Sequence, residues 1–100
     1  MGIYDIRTTP EFDVWLTGIR EVSTRQRLVA RLRKATLGNF GDVSPISAGI
    51  WEMREHFGSG WRMYYIQRCK LIVLMLGGGI KSTQTADIKA VKKLLQTLEV

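Results

Sequence analysis

Residues 49–76 constrain the fold most tightly. Two runs of aromatic, aliphatic and charged residues, "GIWEMREHF" and "WRMYYIQR", are joined at Gly58, Ser59 and Gly60, and a short turn at Arg68, Cys69 and Lys70 leads into "LIVLML". Two such runs around a glycine-containing connection form a β-hairpin, and the unbroken apolar run reads as a central strand covered on at least one face. The three strands make a meander. Side chains alternate along a strand, so Glu52, Arg54 and His56 share one face while Met53, Glu55 and Phe57 take the other. On the partner strand Arg62 and Tyr64 fall together, opposite Trp61, Met63 and Tyr65. Antiparallel pairing then sets Arg54 beside Arg62. Two guanidinium groups so placed repel unless an anion arrives, which makes a phosphate site one reading. Neutralisation by Glu52 or Glu55 is the other.

Upstream, "IYDIR" is a strand candidate, and "TTPEF" supplies Thr9 as N-cap with Pro10 at the first helical position, where its missing N–H costs nothing. Phe12, Trp15, Leu16 and Ile19 recur at helical spacing, giving a helix with one apolar face that ends near Val22. Ser23 or Thr24 caps a second helix running to about Leu37, closed by Gly38 in the left-handed conformation common at helix C-termini. Residues 38–49, "GNFGDVSPISAG", read as a loop. After "LIVLML" the chain passes through "GGGIKSTQTAD" into a last helix built on Ile88, Val91, Leu95 and Leu98, with Thr85 and Asp87 as competing caps. The order β-α-α-β-β-β-α implies an α+β fold, with a helical pair on one face of a mainly antiparallel sheet. Its 100 residues are enough for a single domain with a modest core.

Charge narrows the partners. Lys and Arg outnumber Asp and Glu by 15 to 9, for a net charge of +6, which favours an anionic ligand. Arg25, Arg27, Arg31, Arg33 and Lys34 gather on the second helix. No acidic residue lies among them, so helical i,i+4 ion pairs do not account for the stripe. It is either a solvated face or a nucleic-acid contact surface. One cysteine and one histidine exclude a disulfide framework and a Cys-rich zinc site, so no metal or other cofactor is expected. No apolar run approaches the length needed to span a bilayer, and a cytoplasmic protein without a membrane partner is expected. "GGGIKSTQ" lacks the G-x-x-x-x-G-K-(S/T) order of a phosphate-binding P-loop. Lys81 nonetheless stands just beyond the apolar strand, where loops on a rigid support commonly carry function. His56 has the chemistry of an acid or base, and Cys69 has no second histidine with which to form a nucleophile pair.

In this order, "TTPEFDVWL", the Arg-rich helix, "LGNFGD", "WEMREHFGSGWRMYYIQ" and "GGGIKSTQTADIKAVKKLL" resemble the RelE/HigB superfamily of bacterial toxin-antitoxin toxins, in its HigB-like addiction module killer branch. The resemblance covers nearly the whole chain. It implies a RelE-like toxin that cuts messenger RNA in the ribosomal A site without a metal. The RNA's own 2′-OH attacks the adjacent phosphate. A cognate antitoxin, a HigA-like helix-turn-helix protein, restrains the toxin, and operator DNA is met only through that complex. Residue by residue, Arg62 matches the arginine of the family's G-(Y/W)-R-x-x-Y strand and Arg54 that of the branch's E-x-R pattern. Lys81 matches a basic residue after the last strand, and Tyr65 completes the G-W-R-x-x-Y motif, for chemistry or for packing. Two departures stand out. Asp87 occupies the last helix where RelE has a catalytic tyrosine, and an ordinary Asp is ionised at neutral pH and donates no proton. Glu52 and Glu55 replace RelE's paired lysines. A RelE-fold protein that binds RNA or ribosomes without cutting is the alternative.

Overall fold

The computed structural model describes residues 3–98. Strand β1, Asp5–Thr8, leads through Thr9 into helix α1, Pro10–Thr17. Thr9 caps the helix as expected: its hydroxyl accepts from the Phe12 N–H at 3.1 Å and donates to the Met75 carbonyl at 3.0 Å, tying the helix start to the sheet. Helix α1 stops earlier than its apolar spacing predicts. Ile19 reaches the core from the link after Gly18 rather than from a longer helix, and Arg25 donates to its carbonyl. Helix α2, Val22–Thr36, begins after Glu21, so Ser23 and Thr24 lie inside it; Thr24 donates to the Glu21 carboxylate rather than capping the backbone. Gly38 does take the left-handed conformation, with φ +94°.

Residues 38–49 are not all loop. Val43–Ser47 form an additional strand, β2, pairing antiparallel with β3, Ile50–Glu55, through a turn in which Ala48 and Gly49 both have positive φ. Pro45 is tolerated because β2 is an edge and its outer side needs no donor. Strands β4, Trp61–Arg68, and β5, Ile72–Ile80, complete a five-stranded sheet in the order β1-β5-β4-β3-β2, antiparallel except for the parallel β1–β5 pair. Strand β5 therefore runs longer than "LIVLML". It takes in Gly77, Gly78 and Gly79, with an irregularity in its pairing to Tyr64 and Tyr65.

These glycines make room for close packing. A Cβ on Gly78 would come within 2.4 Å of the Trp15 ring, and one on Gly79 within 1.8 Å of the Asp87 carboxylate. Helices α1 and α2 cover one face of the sheet over Phe12, Leu28, Met53, Met63, Tyr65 and Met75. The last helix, α3, Gln84–Leu98, covers the other over Ile50, Tyr64, Leu76, Val91 and Leu95. A single 3₁₀ turn, Lys81–Thr83, joins β5 to α3, and the Thr83 hydroxyl accepts from the Ile80 N–H at 3.2 Å. Thr85 and Asp87 thus lie within the helix, and neither caps it.

Candidate active site

Arg54 stands directly opposite Arg62 in the β3–β4 register, as strand alternation requires. Both project to the α3 side, as does Tyr64, two residues beyond Arg62. The connection after β5 returns beside them: the Lys81 N–H donates to the Ser59 carbonyl at 3.2 Å. A Cβ on Gly60 would lie 3.1 Å from the Lys81 Cβ and 3.7 Å from Arg62 Nη1, so the lysine and the guanidinium flank one glycine. Gly60 has φ +78°, a conformation that also disfavours any larger residue. Arg54, Arg62 and Lys81 are therefore gathered at one corner of the sheet, where β3, β4 and the start of α3 meet.

The two arginines do not face each other unpaired. Arg62 Nε donates to Glu52 at 3.1 Å, while Arg54 grips Asp42 through Nη2 at 2.7 Å and Nε at 3.2 Å. Neutralisation by carboxylates prevails, with Asp42 rather than Glu55 serving Arg54. His56, 73% exposed at its side chain, places Nε2 at 2.5 Å from the second Asp42 oxygen. Hydrogen bonds from Arg54 first, then from His56, hold the Asp42 carboxyl down at about 2. On the inner side Gln84, the first residue of α3, donates to Glu52 at 3.1 Å, and the Asp87 carboxylate accepts the Thr83 hydroxyl. Each strand arginine thus has a carboxylate partner, Asp42 for Arg54 and Glu52 for Arg62, while Asp87 is engaged by the Thr83 hydroxyl.

Tyr65 lies on the opposite face. It is buried against Phe40 at 5.9 Å between ring centroids, and burial pushes its phenol up to about 12, partly opposed by Arg31. Alternation along β4 makes Tyr65 core when Arg62 is site, so it does not act with Arg62. Tyr64 is the tyrosine on the site's side. It is fully buried and its hydroxyl has no hydrogen-bond partner among the described residues; burial, then the charges of Glu52 and Asp87, push it up to about 12 against the pull of Arg62.

The α2 cations divide. Arg31 is 8% exposed and leaves the group expected to meet RNA. Its guanidinium donates to the carbonyls of Phe40 at 2.8 Å, Asp42 at 2.8 Å and Arg54 at 2.7 Å, and pairs with Glu55. Gly41, at φ +67°, leaves space for it: a Cβ there would stand 3.0 Å from that group. Arg25 donates to the Ile19 carbonyl, and Arg27 lies over the Phe57 ring, 3.7 Å from its centroid. Arg33 and Lys34 are exposed. The motif "LGNFGD" accordingly closes α2 at Gly38, receives Arg31 at Phe40 and Gly41, and supplies Asp42 to Arg54. Sequence reasoning missed Asp42 and Gln84. The available signal for Asp42 was a lone carboxylate two residues after the Phe40 of that motif; Gln84 offered none.

Among the described residues no group of three or more potential metal ligands occurs, and no helix is long and apolar enough to cross a membrane. No family model matches the chain. An uncharacterized protein of Haemophilus influenzae is 40% identical over 93 residues, spanning 93% of this chain and 94% of that protein. Among solved structures, a doubly substituted mutant of the E. coli toxin RelE in the free state aligns with a TM-score of 0.63 at 16% identity, over 93% of this chain and 98% of the RelE chain. At that identity the likeness is one of fold, and it matches the α+β architecture read from the sequence. The chain belongs to the family of the H. influenzae protein and has a RelE-like fold.

Proposed function

We propose that this protein is the toxin of a type II toxin-antitoxin module, of the HigB-like branch, and that it cuts messenger RNA on the ribosome. The observation that carries this reading is the convergence of Arg54, Arg62 and Lys81 at one corner of a RelE-like sheet. In the proposed reaction the RNA's 2′-oxygen attacks the adjacent phosphorus and the 5′-oxygen leaves. Charge builds on the phosphoryl oxygens, where preorganised N–H donors have their largest effect. With Nε committed to Glu52, Arg62 presents its terminal nitrogens to those oxygens; Lys81 supplies a second cation from across Gly60, and Arg54 a third from the neighbouring strand. His56, exposed beside Asp42, is the acid-base group with access to solvent. Asp87 acts as an acceptor for Thr83 and not as the proton donor. The cognate antitoxin, a HigA-like DNA-binding protein, covers this corner and brings the toxin to operator DNA.

A non-cleaving ribosome binder is the second reading, favoured by the pairing of both arginines with carboxylates. Messenger RNA mapped from stalled ribosomes separates the two: discrete A-site cuts are expected, and arrest with intact message would select the binder. Arg62→Ala and Lys81→Ala should each lower the cleavage rate by about 10²–10³-fold while preserving the fold. Full toxicity in both variants would remove this site.

A further inference from the structure

Glu52 is 5% exposed, and a polar side chain so buried calls for hydrogen-bond donors from the fold. Its Oε1 receives both Arg62 Nε and Gln84 Nε2 at 3.1 Å, and Oε2 lies 3.5 Å from the same Gln84 nitrogen. These two donors come from different elements: Arg62 from β4, and Gln84 from the first turn of α3, which follows Lys81 directly through the 3₁₀ turn. Tyr64, opposite Glu52 in the register, fills the inner side with a fully buried ring. Glu52 thus ties Arg62 to the turn that carries Lys81. A guanidinium held at Nε by a fixed carboxylate loses rotational freedom, and with only a long 3.4 Å contact from Nη1 to the Gly60 carbonyl, Arg62 can turn its terminal nitrogens to a second planar or tetrahedral anion.

We infer that Glu52 is the positioning residue of this site, orienting Arg62 and holding it in register with Lys81 for the RNA phosphate. The inference rests on the endonuclease reading, and it assigns to this carboxylate an orienting part rather than contact with substrate. What Glu52 supplies is acceptor geometry. A glutamine carbonyl can accept from both Arg62 and Gln84, so Glu52→Gln should preserve the arrangement and Glu52→Ala should destroy it.

Two measurements test this. In the free protein, the Arg62 Nε–H signal in a ¹⁵N correlation spectrum, assigned by its loss in Arg62→Lys, should be protected from solvent exchange in wild type and in Glu52→Gln and unprotected in Glu52→Ala. On programmed ribosomes, Glu52→Ala should lower kcat by about 10²-fold, the scale of a misplaced catalytic group, with KM changed less than kcat, and Glu52→Gln should recover most of that loss. An Arg62 signal equally protected in Glu52→Ala overturns the inference, as does a Glu52→Gln enzyme no better than Glu52→Ala, which would make charge and not geometry the essential property. If Glu52→Ala does not fold, Gln84→Ala, which removes the helix-side arm alone, should weaken the protection, and unchanged protection there counts equally against the inference. Wild-type protein that cuts no message would defeat the endonuclease reading and leave the spectroscopic result standing.

Discussion

Arg31 and Arg62 lie on opposite faces of the same sheet, and they differ in how many of their donors the fold takes up. Arg31, beneath α2, spends its nitrogens on three backbone carbonyls and the Glu55 carboxylate, all within the fold. Arg62, on the α3 side, gives Nε to Glu52, makes only a long 3.4 Å contact from Nη1 to the Gly60 carbonyl, and flanks Gly60 together with Lys81. The difference teaches that a cation's role follows from which acceptors surround it rather than from its place in a charged run. One arginine organises the β2–β3 backbone; the other has no short hydrogen bond from its terminal nitrogens among the described residues.

The contrast can be broken most forcefully at Arg31. Removing it strands Glu55 and leaves the Phe40, Asp42 and Arg54 carbonyls short of donors in a buried setting. Arg31→Ala should therefore cost about 3–5 kcal/mol of stability, as the loss of one partner of a buried ion pair does. Urea unfolding measures this directly. A loss below about 1 kcal/mol would place Arg31 with the surface cations and dissolve the distinction.

The Arg62 side of this contrast was legible in the sequence and the Arg31 side was not, for physical reasons. Alternation with antiparallel pairing allowed Arg54 and Arg62 to come close on one face, and the hairpin register then sets them directly opposite. Thr9, Pro10 and Gly38 announced helix ends through local backbone chemistry. Arg31 was not legible as a core residue, since on α2 it shares its stripe with Arg27 and Lys34, and only the distant fold of residues 40–42 buries it. Strand β2 was hidden by Pro45 and its small polar neighbours, a composition that suits either a loop or an edge strand. Tyr65 was drawn into the site by its motif, although the same alternation that placed Arg62 assigns Tyr65 to the core. The three glycines of β5 read as part of the connection to the last helix because nothing local reveals that Trp15 and Asp87 pack over Gly78 and Gly79.

A smaller effect sharpens the comparison on α2 itself. Arg27, Arg33 and Lys34 are exposed, and replacing all three with Gln should leave folding intact while weakening association with ribosomes or RNA. The logarithmic salt dependence of binding should flatten by roughly 0.7 for each single-strand phosphate no longer neutralised. An unchanged slope would return these residues to a merely solvated face, leaving the corner at Arg62 as the RNA contact.

Asp42 joins the two regions, because its carbonyl serves Arg31 while its carboxylate serves Arg54 and His56. Asp42→Asn keeps the carbonyl, so it separates the two duties with the least disturbance. The carboxyl is depressed from 3.8 to about 2 in the folded protein, chiefly by the Arg54 hydrogen bonds. Between those values the unfolded chain binds the proton first, so the stability Asp42 contributes is complete above about pH 4 and is lost as the pH falls toward 2. Chemical denaturation across that window should show a shallower acid limb in Asp42→Asn than in wild type, with the Arg31 cluster undisturbed at neutral pH. An acid limb of equal slope in both proteins would mean that the Arg54–Asp42 pair adds nothing in solution. Arg54 would then be as available to a phosphate as Lys81, which widens the difference between Arg31 and the site cations.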